Sequence, residues 1–171
     1  MRQINLIAIH CTATDPDWMQ GQTAKSKVME IDRWHKARGW RGFGYHLLID
    51  RDGTTAPGRD FAEAGAHIKG HNANSIGIVL VGARGASAMD SFSDHFTADQ
   101  ERTLRAELAS LQARFPGALV KGHNEFANKG CPGFQVGPWL EAAAPKVVQP
   151  QGKFAAFIAA ILEAFQNWRK S

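Results

Sequence analysis

The sequence predicts an α/β fold: a central mixed β-sheet flanked by helices, in a single domain with an extra C-terminal amphipathic helix. Three observations lead there. Residues 4–10 and 75–81 are apolar on both alternating faces, the mark of strands buried on both sides. Residues 23–38 and 97–115 carry their core-facing side chains at helical spacing. Strand and helix patterns are mixed along the chain, which argues for a sheet packed between helices.

Taken in order, residues 4–10 form the first predicted strand. In 23–38, Val28, Ile31 and His35 recur at helical spacing, and Gly39 supplies the stop. Residues 43–50 read as a second strand. Arg51-Asp52-Gly53 provides turn chemistry, and residues 54–57 return as a short hairpin partner. Residues 75–81 give the third strand. Thr97 and Gln100 make a capping-box pattern ahead of a stripe of Leu104, Leu108, Leu111 and Phe115, which Pro116-Gly117 ends. A fourth strand at 118–121, an irregular loop at 122–137 and a short helix at 138–143 complete a domain over residues 1–144. Residues 145–152 contain Pro145, Pro150 and Gly152 and read as a connector. In the segment 153–171, Phe154, Phe157, Ile158, Ile161, Leu162, Phe165 and Trp168 share one helical face.

A chain of 171 residues favours one domain with a real hydrophobic core. Two cysteines, Cys11 and Cys131, are too few for a disulfide-stapled scaffold. The N-terminal apolar run is too short for a secretory signal, and no stretch is long and apolar enough to span a bilayer. The expectation is residence in a cytoplasm until release. A net charge of +4 suits a polyanionic partner: nucleic acid, an anionic cell wall or a membrane surface. No helix joins a dense basic face to a DNA-binding motif, so the reading is no nucleic acid. No Walker pattern or dinucleotide fingerprint is present.

The segment 121–132 reads Lys-Gly-His-Asn-Glu-Phe-Ala-Asn-Lys-Gly-Cys-Pro and sets His123 and Cys131 in one irregular loop. Imidazole and thiolate are preferred zinc donors. A third donor is needed, and His10, at the end of the first strand, is the best candidate. Two histidines and one cysteine leave the fourth tetrahedral position for water, as catalytic zinc requires. On spacing alone this is a hint of zinc with no substrate attached. A lone histidine at a strand end is more often structural, and this pair does not have zinc-finger spacing.

Four blocks add more: residues 7–14 (IAIHCTAT), 42–53 (GFGYHLLIDRDG), 65–82 (GAHIKGHNANSIGIVLVG) and 122–132 (GHNE to KGCP). With these blocks, in this order, the chain resembles the zinc-dependent N-acetylmuramoyl-L-alanine amidases. This type 2 amidase family includes small phage endolysins and the animal peptidoglycan-recognition proteins. The resemblance implies hydrolysis of the amide between N-acetylmuramic acid and L-alanine in bacterial peptidoglycan. It implies Zn2+ on His10, His123 and Cys131, and catalytic roles for Tyr45 and Lys129. The chemistry agrees, because amide hydrolysis passes through an oxyanion. Lys129, two residues before a zinc-bound cysteine, would place an ammonium beside it, and Tyr45 would donate a hydrogen bond or orient water.

His67 and Asn74 are expected in the substrate groove, although residues 72–75 equally suit turn chemistry before the third strand. His46 is read as structural, His35, His71 and His95 as surface or helix residues, and Cys11 as a small buried hydrophobe. A phage or prophage endolysin, held in the host cytoplasm until it reaches the wall, is the implied setting. The alternative is a non-catalytic peptidoglycan-binding module of the same fold. The C-terminal helix is expected to dock on the domain or a second subunit, or to contact anionic membrane.

Overall fold

The computed structural model describes residues 2–142. The expected connector and C-terminal helix lie outside the described residues. β1 (Leu6–Cys11) is buried along its whole length. α1 (Ala24–Ala37) begins after Thr23, whose hydroxyl accepts the Ser26 N–H, and is followed by Gly39 at φ +79°. β2 (Leu47–Ile49) and β3 (Thr55–Pro57) form the hairpin, and β4 (Ser75–Leu80) is again wholly buried. α2 (Phe92–His95), α3 (Ala98–Arg114), β5 (Leu119–Gly122) and α4 (Val136–Ala142) follow.

The strand order is β3-β2-β4-β1-β5. β4 runs parallel to β1 and β2, and β5 runs parallel to β1. Only β3 is antiparallel, so the sheet is mixed. Side chains alternate across it. Ile7, Ile9, Ile76, Ile78 and Leu80 pack with Leu104, Leu108 and Leu111 of α3. Leu48, Val79 and Val81 pack with Ala24 and Ile31 of α1. Leu6 and Ala8 lie on the face opposite Ile7 and Ile9, with Ile68 and half-buried Phe126. Alternation puts His10 on that second face, at the end of the central strand.

One charged pair is built into this core. Lys27 of α1 donates to both Asp50 carboxylate oxygens at 2.6 and 2.8 Å. The two side chains are 4% and 5% exposed. The pair ties α1 to the end of β2, and each charge depends on the other for compensation.

Several boundaries differ from expectation. The strand expected over 43–50 is regular only at Leu47–Ile49. Its first part follows its own path: Tyr45 O accepts the Arg59 N–H and Gly44 O accepts the Ala66 N–H. α2 was not expected, although Ser91 and Asp94 form a capping box around its start. α4 begins at Val136 and carries Pro138 in its first turn, where a missing N–H costs nothing. The loop after β5 holds a 3-10 turn, His123–Glu125. No helix among the described residues is long and apolar enough to cross a membrane.

Candidate metal centre and active-site cleft

Parallel pairing of β1 and β5 sets Ile9 opposite Gly122, so the chain leaves β5 beside the end of β1. His123 is the next residue, and its ring centroid lies 4.7 Å from that of His10. Glu125 holds this turn by accepting the Gly122 N–H at 2.8 Å and the Lys121 ammonium at 2.7 Å. The loop then returns Cys131, whose Sγ lies 3.8 Å from His10 Nδ1. One donor atom from each of His10, His123 and Cys131 falls within 4.8 Å of the others. His10 is buried, and the other two are half-buried. Two imidazoles and one thiol at this separation fit a tetrahedral metal ion with one position left over.

Burial and neighbouring positive groups keep the two rings unprotonated. Burial, then His67, His123 and Lys129, hold the His10 imidazole well below its ordinary range. Burial and Lys129 lower His123 as well. Both rings therefore offer neutral lone pairs at neutral pH. The adjacent Cys11 side chain, followed by burial, pushes the Cys131 thiol up. A bound cation would hold that sulfur as thiolate. Cys11 is buried, as expected, but its N–H also donates to Cys131 Sγ at 3.3 Å.

Beside the cluster opens a cleft of ≈ 500 Å³. Tyr45, His123 and Lys129 all line it, and the Tyr45 ring lies 5.1 Å from the His10 ring. Burial raises the Tyr45 phenol, so it keeps its proton as a donor. Arg38, Lys69 and Lys129 bring three cations to the cleft, and no carboxylate lines it among the described residues. Trp40, 42% exposed, forms part of the wall. A larger open depression of ≈ 650 Å³ lies beside Thr23, Lys27 and Asp50. Its buried charges are already paired with each other, so volume alone does not mark the site.

His67 lines the cleft but is only 8% exposed, and both ring nitrogens are engaged. Nδ1 lies 3.0 Å from His10 Nε2, and Nε2 lies 3.3 Å from Ser75 Oγ. Burial, reinforced by His46, His123 and two arginines, holds it down to about 3. Asn74 does not line the cleft; it sits exposed in the 3-10 turn before β4, where its carbonyl accepts the Asn5 N–H. Its neighbour Asn72 reaches the cleft, with Oδ1 accepting the His67 and Ile68 N–H groups. His46 is a structural residue: its Nδ1 accepts the Gly77 N–H at 2.9 Å. His35 lies on α1, but its ring is buried, accepts the Gly44 N–H at 3.0 Å and lines the cleft near Tyr45. Arg38, Trp40 and Lys69 were likewise not singled out from sequence. The one available signal was their nearness to the Gly39 turn and to His67.

Comparison with known proteins agrees with this geometry. The N-acetylmuramoyl-L-alanine amidase family model matches residues 1–134. The endolysin of Escherichia phage T7 is 44% identical over 135 residues, covering 79% of this chain and 84% of that protein. The solved structure of N-acetylmuramoyl-L-alanine amidase LysC from Clostridium intestinale is 30% identical, with a TM-score of 0.66 over 84% of this chain and 85% of that one. Drosophila PGRP-LB shares the fold at 22% identity, with a TM-score of 0.64 over 84% of this chain and 83% of that one. A family match over most of the length, with the donor cluster and cleft inside it, means that this chain belongs to the N-acetylmuramoyl-L-alanine amidases.

Proposed function

We propose that this peptidoglycan amidase works with one Zn2+ held by His10, His123 and Cys131, cutting the amide between N-acetylmuramic acid and L-alanine. The observation that carries the reading is the meeting of those three donors at the cleft that Tyr45 and Lys129 line. Zinc suits a borderline-soft set of two imidazoles and one thiolate, and when bound it supplies Lewis acidity and an acidified water.

The chain's own residues do the rest. Of the three donors, His123 also lines the cleft, which sets the cluster beside it. The Lys129 ammonium stabilises the oxyanion that develops on the scissile carbonyl. Tyr45, protonated by virtue of burial, donates a hydrogen bond to that oxygen or orients the attacking water. Arg38 and Lys69 give the cleft a positive wall, suited to the carboxylates of a stem peptide. The setting is a phage or prophage endolysin, kept in the host cytoplasm until it is released to the wall. Contact of residues 153–171 with anionic membrane would be a secondary activity.

Metal analysis tests the reading. The full chain should hold one zinc per molecule, and Cys131→Ala should hold well below one and lose wall lysis. A Cys131→Ala protein with full zinc and full activity would contradict it.

A further inference from the structure

His10 reaches Cys131 Sγ with Nδ1, so its metal-facing nitrogen is Nδ1 and its free nitrogen is Nε2. Among the described residues that free nitrogen meets no carboxylate and no backbone carbonyl. It meets another imidazole, His67 Nδ1, at 3.0 Å with the rings edge to face at 84°. A metal on Nδ1 requires the proton of neutral His10 to sit on Nε2. That N–H then donates to His67 Nδ1, which must be unprotonated, and His67 carries its own proton on Nε2 toward Ser75 Oγ. One tautomer choice at the metal fixes the next along the chain.

The fold holds His67 for this contact. Its N–H and the next one both donate to Asn72 Oδ1, at 2.8 and 3.0 Å, which fixes the backbone. The ring lies against two glycines. A Cβ on Gly77 would come within 2.8 Å of the ring carbons Cδ2 and Cγ, and one on Gly65 would collide with Cδ2 and Nε2 of the same ring. Ser75, which takes the far nitrogen, is fully buried.

We propose that His67 is a positioning residue. By accepting the Nε2 proton of His10 it fixes the tautomer and ring angle that present Nδ1 to the metal. A ligating histidine is usually oriented by a partner on its other nitrogen, and loss of that partner commonly lowers metal affinity about 10–100-fold. This rests on the reading of His10 as a metal ligand.

Two measurements test it on the full chain. Long-range proton–nitrogen NMR of the zinc-loaded, unaltered protein should find His10 protonated on Nε2, and His67 protonated on Nε2 with Nδ1 bare. A His67 protonated on Nδ1 would overturn the proposal, with no variant needed. Zinc affinity by chelator competition should fall about 10–100-fold in His67→Leu, which keeps bulk without an acceptor. It should recover largely in His67→Asn, whose Oδ1 takes the place of Nδ1. Equal loss in both variants would mean that an acceptor at this position is not what zinc affinity depends on, and that too would overturn the role. Normal zinc affinity in His67→Leu would remove the role of His67 alone. Failure of the unaltered chain to bind zinc would remove the metal reading and this proposal with it.

Discussion

Tyr45 and Lys129 bring two different donors to one cleft: a half-buried phenol held in its protonated form, and an exposed ammonium two residues before the Cys131 thiol. Neither belongs to the donor cluster, so removal should separate chemistry from metal binding. Tyr45→Phe and Lys129→Ala should each keep zinc while turnover falls about 100- to 1,000-fold. Loss of zinc in either variant would reassign that residue to structure. The meeting of His10, His123 and Cys131 was expected from the four blocks of family resemblance, with residue chemistry alone giving only a hint. The partner of His10 was not legible. His67 lies 57 positions away, and only the parallel pairing of β1 with β4 and the turn at residues 72–74 bring the two rings together. The same holds for Arg38, Trp40 and Lys69, whose shared cleft arises from tertiary proximity. Replacing Arg38 with Ala should raise KM for a carboxylate-bearing stem peptide more than it lowers kcat, because the charge aids ground state and transition state alike.

The elements were read best where their periodicity was unbroken. β1, β4 and the α3 stripe were legible because a fully buried parallel strand is apolar on both faces and a docked helix is apolar on one. The strand around Tyr45 was overextended because its residues suit a strand while their hydrogen bonds go to residues 58–66 instead of a neighbouring ladder. α2 escaped notice because four residues offer no period to read, and only the Ser91–Asp94 capping box marked it. The Lys27–Asp50 pair is likewise invisible in sequence, yet it locks α1 to β2. Lys27→Met should destabilise the fold by about 3–5 kcal/mol, because it strands a buried carboxylate. Joint replacement, Lys27→Met with Asp50→Leu, should recover much of that loss. Urea unfolding measures both, and a Lys27→Met protein as stable as the parent would show that the pair is not what ties the two elements together.

At the scale of the whole molecule, the buried histidines make the fold sensitive to acid. Burial is the main force holding His46 down to about 4, with Arg2 and Arg59 assisting against the Glu63 carbonyl and Asp60. Its folded value lies below the ordinary 6.5, so the unfolded chain takes up the proton first. The stabilisation is complete above about pH 6.5 and is lost as the pH falls toward 4, at most on the order of 3 kcal/mol. The stability gap between the parent and His46→Gln should therefore shrink between pH 7 and pH 4; a constant gap would contradict this. The proposed machinery lies between His10 and Cys131, so deletion of residues 153–171 should leave hydrolysis of purified peptidoglycan intact. A lower melting temperature after deletion would mark a docked helix, and unchanged melting with lost binding to anionic vesicles would mark a membrane-facing one. The central claim, a metal-dependent amidase, meets its most direct test in mass spectrometry of peptidoglycan digested by the zinc-loaded and the chelator-stripped protein. The account predicts free L-alanine amino termini with zinc and none without it. New reducing sugar ends, or the same amino termini after complete removal of metal, would contradict it.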